Sequence, residues 1–347
     1  MRAIIVTDAA PPQVNGVVVT LTTVAKELES LGHDIRFITP ATFRTVACPT
    51  YPEIRLALFP GGGVRRAIDS LQPDAVHIAT EGPLGIAARR YCVRHNIPFT
   101  TAYHTRFPEY VRARAPIPKG LTYAWLRRFH GRAQRVMVPT PSIGGELSAR
   151  GFSNCVIWPR GVYLDRFTPE GERIERTKEP LFMYIGRVAV EKNIRAFLDL
   201  DLPGEKWVVG GGPDLERLQR QYPGVHFTGP KDHSELPRYY RAADVFVFPS
   251  RTDTFGLVLL EALACGVPVA AFPVAGPIDV IGAHGPGALD NDLRAAALKA
   301  LSVPREAARA HALQYSWNQV AKLFLSYLAP IDRTAFAVGR AAHPAKA

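Results

Sequence analysis

Two short polar segments, each following a run of apolar residues, carry the side chains best suited to chemistry. The first holds Arg187 and Lys192, which follow Gly186 closely. An arginine fork and a compact ammonium group together suit a diphosphate. Taken alone, this segment fits equally well a pair of surface cations, one of them bound to Glu191.

The second segment holds two carboxylates, Asp253 just before a predicted helix and Glu261 within it. Gly256 opens that helix. A helix N-terminus offers unpaired N–H groups and the positive end of a dipole, both of which favour an anion. Asp253 could accept hydrogen bonds from ligand hydroxyls, or it could simply cap the helix. Glu261 lies among leucine and alanine residues, which favours a carboxylate that holds a polar ligand over one that faces solvent.

Short apolar strands and longer amphipathic helices alternate along the chain and must position these segments. Near-continuous apolar strands separated by helices indicate parallel sheets covered on both faces. The alternation lapses around residues 160–178, where prolines and mixed charges are typical of a linker, and then starts again. The predicted fold class is therefore α/β, with two Rossmann-like domains that face each other across a cleft. Ligands of such sheets bind at the carboxyl ends of the strands.

The apolar runs place individual elements. The predicted strands cover residues 2–7, 34–38, 75–78, 99–103, 181–185, 206–209, 225–227, 245–248 and 267–271. The predicted helices cover residues 17–31, 85–95, 191–198, 215–221, 236–242, 257–264 and 316–328.

Composition narrows the class of protein. A chain of 347 residues with 47% hydrophobic and 21% charged residues is typical of two globular domains. The four cysteines form no CxxC pair, which argues against a zinc site or a disulfide scaffold and favours a reducing cytoplasm. The N-terminus is typical of a buried strand rather than a signal peptide. Glutamate and proline interrupt the longest apolar stretch, at 256–276, so no bilayer-spanning segment is predicted.

Positive charge is concentrated in the first half of the chain. The net charge is +11, and most of it falls in residues 1–170, which indicates an anionic partner such as a membrane surface, a nucleic acid or a phosphorylated ligand. Residues 120–135 can form an amphipathic helix with aromatic anchors and a cationic rim, as suits an anionic membrane interface. An ordinary packing helix with solvated arginines is the alternative. The predicted membrane-facing side chains are Trp125, Arg127, Arg128 and Arg132.

The order of these motifs resembles the retaining GT-B glycosyltransferases of the fourth sequence family. The matching pieces span nearly the whole chain: Asn15-Gly16, His104-Thr105, Arg160-Gly161-Val162, Gly186-Arg187 with Glu191-Lys192-Asn193, residues 236–250, Asp253-x7-Glu261 and Ser316-Trp317. Two positions depart from the family pattern. Asp253 stands where the family more often has glutamate, and Arg160 stands where many members have asparagine.

The resemblance implies a role for each matching residue. Arg187 and Lys192 would bind the donor diphosphate and neutralise the leaving group, while Glu261 would hold the ribose hydroxyls. From the first domain, Gly16 would bring backbone N–H toward the phosphates and His104 would face the sugar. The remaining implied donor-site residues are Asp253, Thr254, Phe255, Gly256 and Leu257 at the sugar and Pro230 and Lys231 at the base.

The resemblance also implies a domain organisation. Residues 1–165 would form the acceptor-binding domain and residues 166–315 the nucleotide-sugar-binding domain. A C-terminal helix within residues 316–347 would pack back on the first domain. Because the leaving phosphate would act as base on the same face of the sugar, neither a metal nor another cofactor is expected.

The resemblance extends to the acceptor. The segments at 104–110 and 252–256 are similar to those of bacterial diacylglycerol glycosyltransferases. We therefore expect glycolipid synthesis from UDP-glucose or a related UDP-sugar and diacylglycerol, by a cytoplasmic enzyme attached peripherally to the inner face of the cell membrane. The alternative is mannosyl transfer from GDP-mannose to a lipid or polyprenyl-linked glycan. A nucleotide-sugar epimerase and a non-catalytic lipid-binding module share the fold, and nucleic acid is not an expected partner.

Overall fold

The computed structural model describes residues 1–13, 15–48, 51–114, 117–282 and 284–332, without the side chains of 51–53, 110–111 and 113–114. Two compact units divide the chain. The first combines Met1–Pro159 with the segment that starts at Asn318, and the second is Arg160–Trp317. Residues 333–347 of the predicted C-terminal segment lie outside the described residues.

The strands and helices alternate through both units. The strands are β1 Arg2–Val6, β2 Asp34–Ile38, β3 Thr45–Cys48, β4 Tyr51–Ala57, β5 Ala75–Ile78, β6 Thr100–Ala102, β7 Arg135–Val138, β8 Cys155–Ile157, β9 Leu181–Ile185, β10 Glu205–Val209, β11 His226–Gly229, β12 Val245–Phe248, β13 Val269–Ala271 and β14 Gly287–Leu289. The helices are α1 Gly16–Ser30, α2 Gly61–Leu71, α3 Pro83–Arg94, α4 Phe107–Arg114, α5 Lys119–His130, α6 Pro141–Ser148, α7 Arg195–Leu198, α8 Leu215–Gln221, α9 Leu236–Ala242, α10 Leu257–Ala264, α11 Ala275–Ile281, α12 Leu293–Ala300, α13 Arg305–Ala312 and α14 Trp317–Tyr327.

The first unit is built on a six-stranded parallel sheet in the order β2-β1-β5-β6-β7-β8. Its central strands are buried on both faces, as are all four residues of β5 and all three of β6. Such strands require helices on both sides of the sheet. The hairpin β3–β4 pairs separately from this sheet.

Helix α14 completes the core of the first unit. The ring of Phe324 is fully buried and lies 5.0 Å from that of Trp158 and 4.9 Å from that of His77. The indole N–H of Trp158 donates to the Val320 carbonyl at 3.1 Å. The end of the described chain is thus integral to the unit formed by its beginning.

The second unit repeats the architecture with the parallel order β11-β10-β9-β12-β13-β14. The predicted strands β9 and β12 and the predicted helices α9 and α10 occur at the predicted residues. The predicted α/β class, with a parallel sheet in each unit, is confirmed. None of the described helices is long and apolar enough to cross a membrane.

Two of the predicted helices differ in extent from the helices that the structure shows. The helix predicted over 120–135 is α5, which ends at His130, since Gly131 follows and Arg135 already belongs to β7. Arg132 therefore lies in a turn. The helix predicted over 191–198 is a 3-10 turn followed by the short α7, because Asn193 between them adopts a left-handed backbone with φ 52°.

Candidate functional site

The candidate site lies at the carboxyl edge of the second sheet, where four neighbouring strands end. The loops that follow β11, β10, β9 and β12 are residues 230–235, 210–214, 186–193 and 249–256. Backbone hydrogen bonds join the first three: the N–H of Gly210 donates to the Gly229 carbonyl, and that of Val188 donates to the Gly211 carbonyl. In open parallel sheets this edge is where ligands bind.

Glycines bring the loop after β10 against the loop that carries Arg187. Gly210 and Gly212 have φ of 139° and 155°, values that side chains rarely adopt. A Cβ on Gly210 would lie 1.9 Å from the Gly186 carbonyl oxygen, and one on Gly212 would lie 2.2 Å from that of Val188. Sequence reasoning assigned no role to these glycines, although three consecutive glycines after an apolar run were a usable signal.

The loops after β9 and β12 are joined by side chains. The ammonium of Lys192 lies 2.5 Å from Oδ1 of Asp253, with both side chains largely buried. Asn193 donates to the Pro249 carbonyl at 3.0 Å, and the hydroxyl of Thr252 donates to the Glu191 carbonyl at 3.1 Å. The two sequence segments with the best candidate residues therefore form one cluster.

One carboxylate oxygen of Asp253 is available to accept a hydrogen bond from a ligand. Its Oδ2 is buried and accepts no hydrogen bond from the described residues. Buried polar atoms are normally satisfied, so this oxygen marks a place for a donor such as a sugar hydroxyl. Thr254 and Leu257 are half-buried and Phe255 is buried, while Gly256 starts α10 with φ 87°.

Glu261 projects from α10 into a network of hydrogen bonds. Its Oε1 accepts from Nε2 of His233 at 3.0 Å, and its Oε2 accepts from the hydroxyl of Tyr240 at 2.9 Å. The guanidinium of Arg166 lies 3.1 Å from Nδ1 of His233. Because a guanidinium only donates, Nδ1 accepts, and Nε2 carries the hydrogen that is donated to Glu261. Burial, with the nearby Glu261 charge, raises the pKa of Tyr240 well above its ordinary value, so Tyr240 remains a donor.

This network fixes the orientation of the Glu261 carboxylate. Each carboxylate oxygen can accept about two hydrogen bonds. With one protein donor on each oxygen, Glu261 can still accept one hydroxyl at each, which suits a vicinal diol. Sequence reasoning gave no role to His233 or Tyr240, because no periodicity links them to Glu261.

The predicted base-contacting residues lie on the far side of the glycine loop from Asp253. A Cβ on Gly211 would contact the Pro230 ring at 3.4 Å. The ammonium of Lys231 lies 5.9 Å from the centre of the Tyr239 ring. The predicted donor contacts of the second unit thus fall on the loops after β11, β9 and β12 and on α10, whereas the predicted Gly16 and His104 belong to the first unit.

In the first unit, side chains at the strand ends mainly cap helices. The side-chain oxygen Oδ1 of Asn15 accepts from the N–H groups of Val17 and Val18, both at 3.0 Å. Gly16 therefore provides the first-turn amide of α1 that Asn15 does not engage. His104 follows β6, and its ring lies 6.0 Å from that of Trp158.

Asp8, just after β1, is a second capping residue. Its carboxylate accepts from the N–H of Leu84 at 3.0 Å, at the start of α3, and from the hydroxyl of Thr80 at 2.9 Å. Burial raises the pKa of Asp8, and these hydrogen bonds only partly offset the effect.

The predicted membrane-facing residues differ in their surroundings. Trp125 is 37% exposed, and its ring lies 5.9 Å from that of Phe107 and 5.8 Å from that of Phe129. Arg127 donates to the Arg150 carbonyl at 2.9 Å, which ties it to its own unit. Arg128 and Arg132 are exposed.

Among the described residues, no three histidine, cysteine, aspartate or glutamate side chains come together in a group that could hold a metal ion. The lysines and arginines of the edge loops are Arg187, Lys192, Lys231 and Arg251, and the guanidinium of Arg251 lies 3.5 Å from the centre of the Phe272 ring.

Two parallel α/β units, with charged side chains clustered at the strand ends of the second, are the architecture of the GT-B glycosyltransferases. The sequence profile described as Glycosyltransferase Family 4 matches residues 14–166, and that described as Glycosyl transferases group 1 matches residues 179–303. The chain belongs to glycosyltransferase family 4, which confirms the resemblance.

Known proteins match most of the chain. A GDP-mannose-dependent alpha-mannosyltransferase of Mycobacterium tuberculosis is 31% identical over 83% of each chain. An alpha-monoglucosyldiacylglycerol synthase of Streptococcus pneumoniae is 29% identical over 78% of this chain and 71% of its own. The solved sucrose-phosphate synthase of Thermosynechococcus elongatus has a TM-score of 0.75 at 19% identity, covering 97% of this chain and 99% of its own.

Proposed function

We propose that this protein transfers a hexose from a nucleotide sugar to a membrane lipid, with retention of the anomeric configuration and without a metal or other cofactor. The observation that carries the proposal is the Lys192–Asp253 pair, 2.5 Å apart at the ends of adjacent strands. It supports the proposal because a cation suited to a diphosphate lies beside a carboxylate whose second oxygen is buried and unsatisfied by the described residues.

The chemistry requires stabilisation of separated charge. As the anomeric bond breaks, positive charge develops on the sugar and negative charge on the departing nucleotide. Preorganised cations at the leaving group are usually the largest catalytic contribution in such a step. Lys192, held by Asp253, and Arg187 from the same loop are the groups assigned to this role, and the leaving phosphate itself accepts the proton of the acceptor hydroxyl.

Donor recognition is assigned to the rest of the edge. Glu261 accepts the two ribose hydroxyls at the lone pairs that His233 and Tyr240 do not use. Asp253 and the backbone from Phe255 to Gly256 hold the sugar. Pro230 and Lys231 contact the base.

The acceptor side is assigned to the first unit. Exposed Trp125 and Leu121 lie on the same helix as exposed Arg128. Aromatic and aliphatic side chains beside basic residues suit the surface of an anionic membrane. We place the enzyme peripherally at the inner face of the cell membrane, with diacylglycerol as acceptor and a UDP-hexose such as UDP-glucose as donor.

A second donor has its own support. The Mycobacterium tuberculosis relative is GDP-mannose-dependent. It is 31% identical to this chain, compared with 29% for the glucosyldiacylglycerol synthase. Mannosyl transfer from GDP-mannose to a lipid or polyprenyl-linked glycan is therefore the second candidate. The two candidates share every step assigned to Lys192, Asp253 and Glu261.

The deciding experiment measures nucleotide release from UDP-glucose, UDP-galactose, UDP-glucuronate and GDP-mannose, each with and without diacylglycerol in anionic micelles. Lipid-dependent release from one UDP-sugar, with an α-linked product by NMR and no loss in EDTA, supports the main proposal. Release from GDP-mannose alone supports the second candidate. Release that diacylglycerol does not stimulate would refute diacylglycerol as the acceptor.

A further inference from the structure

A groove of about 570 Å³ lies between α2 and α3 in the first unit. Its lining is apolar along much of its length, through Pro60, Pro83, Ile86, Ala87 and the ring of Tyr91. Arginines lie on both walls, Arg65 on α2 and Arg90 on α3, and both are exposed. Apolar lining beside guanidinium groups suits a ligand that has both an anionic group and an apolar portion.

Phe59, which also lines the groove, combines high exposure with an unfavourable backbone conformation. It is 96% exposed, and its backbone is left-handed with φ 47°. That region is sterically unfavourable for a bulky residue. A large apolar side chain held in solvent by a strained backbone indicates a surface that meets an apolar partner.

The charged side chains that line the groove are arginines. No carboxylate lies among the described residues that line it. The nearby carboxylate of Asp69 accepts the hydroxyl hydrogen of Tyr91. Burial and this hydrogen bond raise the pKa of Tyr91, so the phenol stays protonated. The positive charge that a ligand in the groove would meet is therefore that of the arginines.

Helix α3, which lines the groove, is hydrogen-bonded to the end of α5, the helix with the exposed tryptophan. Arg89, also on α3, donates to the Phe129 carbonyl at 2.8 Å and to the Arg128 carbonyl at 2.7 Å, at the end of α5. Burial, together with the charges of Arg128 and Arg132, lowers the pKa of Arg89. Basic side chains thus continue from α5 across α3 to the groove.

We propose that this groove binds one anionic glycerophospholipid that is neither donor nor acceptor. Its phosphate lies between Arg65 and Arg90, and an acyl chain follows the apolar lining toward Phe59. A lipid held in this way would fix the orientation of the first unit on the membrane, which electrostatic attraction alone does not. The inference rests on the proposed membrane location and not on the transfer reaction.

The test uses lipid without a membrane surface. The full chain is titrated by calorimetry with dihexanoyl phosphatidylglycerol below its micelle concentration, and separately with dihexanoyl phosphatidylcholine and with inorganic phosphate. We expect saturable binding of one phosphatidylglycerol per chain, at least roughly tenfold tighter than either reference. The Arg65→Gln/Arg90→Gln variant should weaken it by roughly fivefold for each arginine.

Two comparisons separate a lipid groove from general basicity. Arg128→Gln/Arg132→Gln removes the same charge outside the groove and should leave binding of the monomeric lipid unchanged. Phe59→Ser should weaken binding of phosphatidylglycerol without affecting that of phosphate. Circular dichroism and thermal unfolding check that each variant folds.

Three results would overturn the proposal: equal affinity for the two lipids, equal affinity for phosphate and phosphatidylglycerol, or equal losses in the two arginine pairs. The titration contains no nucleotide sugar and no diacylglycerol. A failure of the proposed transfer reaction therefore leaves its outcome unaffected, and a failure of lipid binding leaves the reaction standing.

Discussion

The two units share a six-stranded parallel sheet but use the carboxyl ends of their strands differently. In the second unit, Lys192 and Asp253 at those ends bind each other and leave a buried oxygen for a ligand. In the first unit, Asp8 and Asn15 at the equivalent ends cap helices. Exposed basic and aromatic side chains of the first unit, among them Arg65, Arg90 and Trp125, lie instead on α2, α3 and α5.

This difference shows that the topology of a sheet does not by itself determine whether its edge can bind a ligand. The same topology provides helix N-termini at one edge in both units. Where a loop side chain occupies those N–H groups, as Asn15 does, the edge is largely structural. Where the N-cap residue is a glycine, as Gly256 is for α10, no side chain caps the helix and its first N–H groups can bind a ligand.

The largest effect that would sharpen the comparison is expected at Lys192. Lys192→Ala removes the cation assigned to the leaving group and should lower kcat by about 10²- to 10³-fold. Steady-state nucleotide release measures this. Lys299→Ala, at an exposed lysine of α12, is the control and should match the wild type. Near-wild-type turnover by Lys192→Ala would remove the diphosphate assignment.

A smaller effect is expected in the network around Glu261. Tyr240→Phe removes one donor but keeps the ring among Phe167 and Phe246. We expect the Kd for the nucleoside diphosphate to rise by roughly tenfold. Because the carboxylate would lose its orientation toward two hydroxyls, the preference for GDP over dGDP, or for UDP over dUDP, should narrow as well.

The matched control for that network is Tyr222→Phe. Tyr222 also donates to a carboxylate, that of Asp199 at 2.5 Å, but on the exposed surface. Its loss should leave both the Kd and the ribose preference unchanged. If Tyr240→Phe keeps the full preference for ribose, Glu261 does not bind the diol.

In the first unit the expected effects concern attachment rather than chemistry. Binding to phosphatidylglycerol vesicles should fall by about fivefold for Arg128→Gln and likewise for Arg132→Gln. Arg127→Gln should change it by at most about twofold, because Arg127 is bound to the Arg150 carbonyl. Vesicle sedimentation gives the partition coefficients. Equal losses at all three arginines would mean that only net charge matters.

The smallest effect is a pH dependence of stability at Asp8. Because the pKa of Asp8 is raised in the folded state, stability falls as the pH rises above the ordinary aspartate pKa, by at most about 1.4 kcal/mol per pH unit. Asp8→Asn should remove that fall. Urea unfolding between pH 3 and 7, spanning roughly that range, measures it.

Asp34 provides the opposite sign within the same sheet. Its hydrogen bond from Arg2 lowers its pKa, so its contribution is present at neutral pH and is lost as the pH falls. Asp34→Asn should therefore flatten the acid side of the curve. Identical pH profiles for the two variants would contradict the assignment of Asp8 as a buried cap whose pKa is raised.

Sequence pattern was sufficient for β9, β12, α9 and α10 of the second unit, but it did not predict α11, β14, α12 or α13. The strands β9 and β12 are fully apolar and are bounded by proline, glycine or aspartate, so their limits could be read directly. Helix α2 was not predicted, because it begins with three glycines, which are poor helix formers. Burial of Val64 and Ile68 stabilises it against that propensity.

The candidate site was predictable only in part. Residue types and spacing singled out Lys192, Asp253 and Glu261. The bond between Lys192 and Asp253 depends on the pairing of β9 with β12, which no local pattern specifies. His233 reaches Glu261 from a loop, where neither helical nor strand periodicity applies, so only the folded chain shows that the two meet.

The placement of α14 has a consequence for biosynthesis. On the ribosome, residues 1–159 emerge first, but Trp158 and His77 lack their partner Phe324 until the whole second unit has been made. The first-made unit is therefore the last to finish folding. During that interval an apolar face of its sheet stays open, and a nascent chain stalled before α14 would be the form most in need of a chaperone.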